Sequence, residues 1–283
     1  MTGAESLREK AASPRQRAVV LAGWILLWSV PALAGREVGA TLGFDTNVSR
    51  AVDGGQSDAH LGGYASFQRT PDGESRYDWA ATATMEGSIS LEVSDLSFAA
   101  LTVEPGIVFF PRWWFTVSAS PFLQGKAVKD TDQSAVSFGG KIRFREQIRK
   151  NLYLGQYYVY TDSRANEEVY SYTEHAVGAF AGALWGHGAF TEIGYEFSHG
   201  DSFRTVSTNT PLPPGMGKGR RYSSAFGAEV VRDTVDRHAV SASAGIDWTP
   251  SLTFQAGYTY AKNDGDLGPF TNHSGYAGAA YRF

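Results

Sequence analysis

Cysteine is absent from this chain, which excludes disulfides and thiolate-bound metals. Long hydrophobic runs are missing too. After residue 34 no apolar stretch approaches the eighteen or so residues of a spanning helix, so no helix is expected to cross a membrane. A basic surplus is also lacking: 25 Lys and Arg stand against 29 Asp and Glu, which argues against nucleic acid as a partner. No metal-ligand spacing, phosphate-cradling glycine loop or dinucleotide fingerprint occurs, and no cofactor is expected. No change of composition marks a second domain. What the chain does hold is glycine (32), phenylalanine (17), tyrosine (14) and tryptophan (7), at a negative mean hydropathy. Abundant aromatics without overall hydrophobicity suit a sheet with one wet face.

The first 34 residues read as a leader. Arg8, Lys10, Arg15 and Arg17 precede a largely apolar run over residues 18–30, and Ala32 and Ala34 provide small residues for cleavage before Gly35. Thirteen residues are too few to span a bilayer, which takes about 20. The leader's four bases and two acids carry +2, so the formal charge of −4 becomes −6 after cleavage. The expected organisation is a signal peptide over 1–34 and a single exported domain over 35–283.

From there the chain repeats one pattern, a side-chain period of two. Val38, Ala40, Leu42 and Phe44 alternate with Glu37, Gly39, Thr41 and Gly43. Val240, Ala242, Ala244, Ile246 and Trp248 alternate with Ser241, Ser243, Gly245 and Asp247. Phe254, Ala256, Tyr258 and Tyr260 repeat it near the end. Residues 152–160 and 172–184 are apolar or aromatic on both faces, and their orientation stays open. Pro105, inside an otherwise regular strand, predicts a bulge or local break. A soluble β-sandwich also alternates. Against it stand the Gly-, Ser- and Thr-rich polar face, aromatics gathered at strand ends, and connections that alternate short with long. Short ones are placed at Pro111-Arg112, 149–151, 186–188 and 249–251; long ones at 49–59, 127–133, 163–168 and 263–272. This pattern predicts an all-β, antiparallel up-and-down transmembrane β-barrel. Twelve strands result if residues 200–236 are one external excursion. Fourteen result if residues 222–231 pair with 203–209 inside the barrel.

The last stretch resembles the closing strand of bacterial outer-membrane β-barrels, with Ala277, Ala279, Tyr281 and a terminal Phe283 on one face. The resemblance implies a Gram-negative outer-membrane location, contact with membrane lipid, and handling by the barrel assembly machinery. Residues 43–50, Gly-Phe-Asp-Thr-Asn-Val-Ser-Arg, are similar to the opening strand of surface lipoprotein assembly modifier barrels and of barrels associated with exopolysaccharide export. Asp45 and Asn47 are expected to serve the first loop through Asx-type bonds.

Lumen-facing charges are the candidate site. Lys141, Arg143 and Arg145 occupy alternate positions on one polar face, and Glu192 and Glu196 do so on another. Such opposed rows suit a small porin-like channel for solutes, or an export accessory for a surface polysaccharide. The alternative is a barrel plugged by internal ion pairs whose outer loops bind a partner or catalyse hydrolysis. For hydrolysis the candidates are His273-Ser274, His199 with Asp201 and Ser202, and Asp236 with His238, but no nucleophile–base–orienter set is recognisable.

Overall fold

The computed structural model describes residues 35–52, 54–71, 75–207 and 220–283. The leader expected over 1–34 lies outside the described residues, as do residues 208–219. The strands are β1 (Gly35–Asp45), β2 (Asp58–Arg69), β3 (Tyr77–Ser90), β4 (Phe98–Arg112), β5 (Phe115–Val128) and β6 (Ala135–Arg149). They continue with β7 (Leu152–Ala165), β8 (Tyr172–Leu184), β9 (Ala189–Val206), β10 (Arg221–Ser223), β11 (Ala228–Thr249), β12 (Leu252–Gly265) and β13 (Phe270–Arg282). Every pairing is antiparallel. β11 pairs with β9, and β13 returns to β1, so twelve strands close on themselves. Closure leaves no edge, as a chain in lipid requires.

The three-residue β10 stands outside the ring and pairs only with Ala228–Val230 at the top of β11. Residues 203–206 do pair with 229–232, yet they add no strands. They extend β9 and β11, whose ladder runs unbroken from Ala189↔Ile246 to Val206↔Glu229. The excursion expected over 200–236 is therefore largely a tall wall. β11 has 22 residues, about twice the 9–11 that a membrane strand needs.

The alternation sorts the two faces as expected. Leu42, Ile107, Leu123, Val136, Ile193 and Val240 are all exposed, although they are large and apolar. On a membrane barrel these positions meet lipid. The two ambiguous strands are settled by pairing. Leu154, Tyr158 and Val177 point out, while Tyr153, Tyr157, Gly178 and Gly182 point in.

The tight connections differ in detail. The turn expected at Pro111-Arg112 falls at Trp113-Trp114, because both former residues still belong to β4. Trp113 in that turn is 89% exposed. Of the long loops, the one expected over 263–272 contracts to 266–269 because β12 continues to Gly265, while those after β5 and β7 shift to 129–134 and 166–171 and the first spans 46–57. Pro105 produces a break without a bulge. Pairing between β4 and β5 lapses between Val103↔Leu123 and Ile107↔Ala119 and resumes in the same register.

Candidate functional site: the lumen and its mouth

Inward aromatics shape the lumen by lying on glycines of the next strand. The Tyr153 ring covers Gly182 and the Tyr157 ring covers Gly178, so a Cβ at either glycine would collide with the ring. Each ring thus crosses β8 and reaches β9. Tyr153 Oη donates to Glu192 Oε2 at 2.9 Å, and Tyr157 Oη donates to Glu196 Oε2 at 2.6 Å. Arg237 of β11 donates to the other oxygen of Glu196 at 2.6 Å. Gly178→Leu is expected to drive Tyr157 off this seat. The cost should be that of overpacking, about 1–3 kcal/mol, read from reversible urea unfolding in lipid vesicles. Tyr157→Phe, which keeps the ring and loses one hydrogen bond, should cost less.

All five sequence-predicted charges are on the polar face, but they do not form opposed rows. β6 and β9 are three strands apart in a ring of twelve. Tyrosines connect their charges into one polar array, since the Arg145 guanidinium sits 4.3 Å from the Tyr153 ring centre and Tyr153 bonds Glu192. Nor are the three cations equivalent. Lys141 Nζ donates to Glu104 Oε2 at 3.0 Å, and Ser120 Oγ donates to Glu104 Oε1 at 2.8 Å. Lys141 is therefore neutralised. Among the described residues, Arg143 and Arg145 have no carboxylate in ion-pair contact, and both are exposed to the lumen.

The mouth holds a residue that sequence reasoning missed. Asn47 N donates to Asp45 Oδ1 at 2.8 Å, and Asn47 in turn pins Ala51 through both its amide groups. This is the Asx geometry expected of the pair. It turns the chain so tightly that Arg50 adopts φ 53°, the left-handed region that non-glycine residues rarely visit. Arg50 then donates to Ser202 Oγ at 2.6 Å and lies 4.6 Å from the Phe203 ring centre. Its head is wetted, yet protein surrounds it. Burial pulls its pKa below the ordinary arginine value, opposed by Tyr172 and Glu174. The motif over residues 43–50 carried the signal for the turn but not for the destination of Arg50.

Above the mouth the loops share a small apolar core. Val169, Tyr170, Phe226 and Val230 are buried together, with Val48, Leu96 and Phe203 packed against them. These residues come from the β1–β2, β3–β4 and β7–β8 connections and from β9 to β11. Segments from such separate sectors of the ring can meet only over its opening. The first loop is tied across by Thr205 N to Ser49 O at 3.3 Å and by Gln56 Nε2 to Phe226 O at 3.1 Å. Arg204 and Asp233 pair at 2.8 Å with both side chains fully buried, and Arg204 also donates to Gly268 O and Arg50 O. Arg221 pairs with Asp132 and Glu167 of two neighbouring loops.

The histidines divide differently from the expectation. His175, His238 and His273 sit on the outward face, and each ring nitrogen meets a tyrosine hydroxyl of the preceding barrel strand, at 2.8, 2.7 and 2.5 Å. They form part of an aromatic belt at the outer rim. Ser274, next to His273 along β13, points to the other face, so these two make no dyad. His199 Nδ1 meets Asp236 Oδ1 at 2.7 Å, a base and an orienter, while Ser202 is engaged with Arg50 and its own strand.

A closed twelve-strand antiparallel barrel with an exposed apolar outer face and a charged interior has the architecture of an outer-membrane β-barrel. Solved structures agree on the fold. An outer membrane channel from Pseudomonas putida F1 is similar over 90% of this chain and 97% of its own, with a TM-score of 0.58 at 9% identity. The KdgM porin, solved in complex with disordered oligogalacturonate, is similar over 87% of this chain and 99% of its own, with a TM-score of 0.51 at 8% identity. The NanC porin is similar over 87% and 100%, with a TM-score of 0.50 at 11% identity. No family model and no curated protein matches the sequence.

Proposed function

We propose that this barrel is a small porin-like channel for anionic solutes, with short acidic oligosaccharides as the preferred class. The carrying observation is the unneutralised Arg143–Arg145 pair, wetted by the lumen and continued through tyrosine rings to Glu192 and Glu196. Guanidinium groups take carboxylates in a bidentate fork. Flat tyrosine faces beside them suit the apolar faces of sugar rings, and Tyr and Glu oxygens suit the hydroxyls. The KdgM complex with oligogalacturonate supports the same solute class on a similar fold. Uptake and export of a surface polymer make the same demands on such a lumen.

Conductance in a planar bilayer tests this reading. The purified barrel should conduct with anion preference, and oligogalacturonate should block it more strongly than a neutral oligosaccharide of equal length. Arg143→Ser with Arg145→Ser should move the reversal potential toward cation preference, while Lys141→Ser, whose charge is already matched by Glu104, should move it little. A cation-preferring channel indifferent to the double replacement would reject the solute class. A second reading rests on the cap over the mouth: a barrel kept shut until its loops are displaced. A silent barrel that conducts once the cap is loosened would favour it.

A further inference from the structure

The lapse between β4 and β5 leaves two carbonyls without a ladder donor. Phe110 N donates to Arg76 O at 2.9 Å, so even-numbered β4 residues turn their peptide groups toward β3 and odd ones toward β5. Gln147 N donates to Trp114 O at 2.7 Å, so even-numbered β5 residues turn toward β6 and odd ones toward β4. The register that joins Val103 to Leu123 and Ile107 to Ala119 places Pro105 directly opposite Pro121. Both belong to the set facing across this gap, and neither has an N–H to give. Each carbonyl therefore lacks its ladder donor. Roughly 13 Å of wall, four residues at about 3.3 Å each, carries no backbone bond between these strands. On the lumen side the gap is stitched by the Ser120–Glu104–Lys141 bonds.

On the other side of the same gap lies a cavity of about 660 Å³. Pro105, Ile107, Ala119, Pro121 and Ile142 wall it, all of the lipid-facing set, and Tyr158 bounds it, its hydroxyl held by His175 at the outer rim. Gly140 and Ala119 make the floor low where their neighbours are bulky. The volume falls in the range of ligand pockets. A carbonyl left without a donor in a membrane wall is costly, so a bound molecule that brings a donor to the edge of the gap gains from both features.

We propose that this cavity is a binding site for one acyl chain that carries a hydroxyl group. The chain comes from the surrounding bilayer, lies in the groove, and its hydroxyl donates to the Pro105 carbonyl. A plain acyl chain fills the same groove without satisfying the carbonyls. The site is on the lipid face and independent of the channel reading.

Native mass spectrometry of the intact barrel in dodecyldimethylamine oxide tests it, with 3-hydroxytetradecanoate and tetradecanoate titrated separately. The hydroxy acid should bind one-to-one and about tenfold more tightly, the scale of one hydrogen bond. Ala119→Phe, which fills the groove and leaves the carbonyls alone, should abolish retention of both acids. Pro121→Ala supplies the missing N–H to the Pro105 carbonyl and should bring the two acids toward parity. Each variant is first checked for heat-modifiable gel mobility as a sign of a closed barrel. Equal affinity of the unaltered barrel for the two acids, or an undiminished preference in Pro121→Ala, would overturn the proposal. So would undiminished binding in a folded Ala119→Phe barrel.

Discussion

Replacing Arg204 by Ala should loosen the cap at a cost of about 3–5 kcal/mol, the usual penalty for stranding one member of a buried ion pair. The environment explains why the cost is high. Asp233 accepts from Arg204 at 2.8 Å and from the Asp266 peptide at 3.2 Å, with no access to water. Among the described residues no other cation is in ion-pair contact with it. Two further acceptors, Gly268 O and Arg50 O, lose their donor in the same step, and the Phe270 ring loses the cation 4.5 Å from its centre. Tryptic cleavage near Arg50 and Arg221 should become fast in the variant, while the barrel keeps its resistance to boiling in gel loading buffer. Arg204→Met combined with Asp233→Leu should recover much of the loss, because an apolar pair of similar size leaves no stranded charge. Unchanged cleavage in Arg204→Ala would mean that the apolar core over the mouth holds the loops unaided.

The second large effect distinguishes the two faces of β11. Ala242 is exposed and pairs with Ile193 and Tyr258, both of the lipid-facing set. Ala242→Arg puts a charge into hydrocarbon near the middle of the strand, at a cost of about 2–4 kcal/mol. Ser243, one residue on, pairs with Glu192 and Gly257 and faces the lumen. Ser243→Arg meets water and a carboxylate on the facing strand, so its unfolding free energy in lipid vesicles should stay near that of the parent. Equal costs at the two positions would be incompatible with this register.

The barrel was legible in the sequence because the membrane imposes one rule on every strand. A residue such as Leu42 or Val240 must be apolar where it meets lipid, and its neighbours must be small or polar, so alternation survives along the whole chain. The count of twelve was less legible, since residues 203–206 and 229–232 continue a ladder above the membrane, where that rule no longer applies. For the site, placement on the polar face could be read for all five charges, but their pairing could not. Nothing in the spacing of Lys141, Arg143 and Arg145 says that Glu104, 37 residues away, neutralises only the first. The Pro105–Pro121 juxtaposition was half legible: the break was expected from one proline, while its facing partner depends on the register between two strands. Arg50 was invisible as a mouth residue because its position follows from a backbone turn and contacts more than 150 residues downstream.

The closure of β13 on β1 has a consequence in time. Glu37 pairs with Arg282 both along the ladder and through a 2.9 Å side-chain bond, and Phe283 N donates to Arg36 O at 3.0 Å. β1 therefore waits for β13, the last of the described strands in chain order, before its outer edge is covered. Throughout that interval β1 offers a bare row of peptide groups to any strand that passes, including β1 of a sister chain. Residues 35–45 thus carry an open strand edge, the kind of feature that promotes aggregation when assembly is delayed.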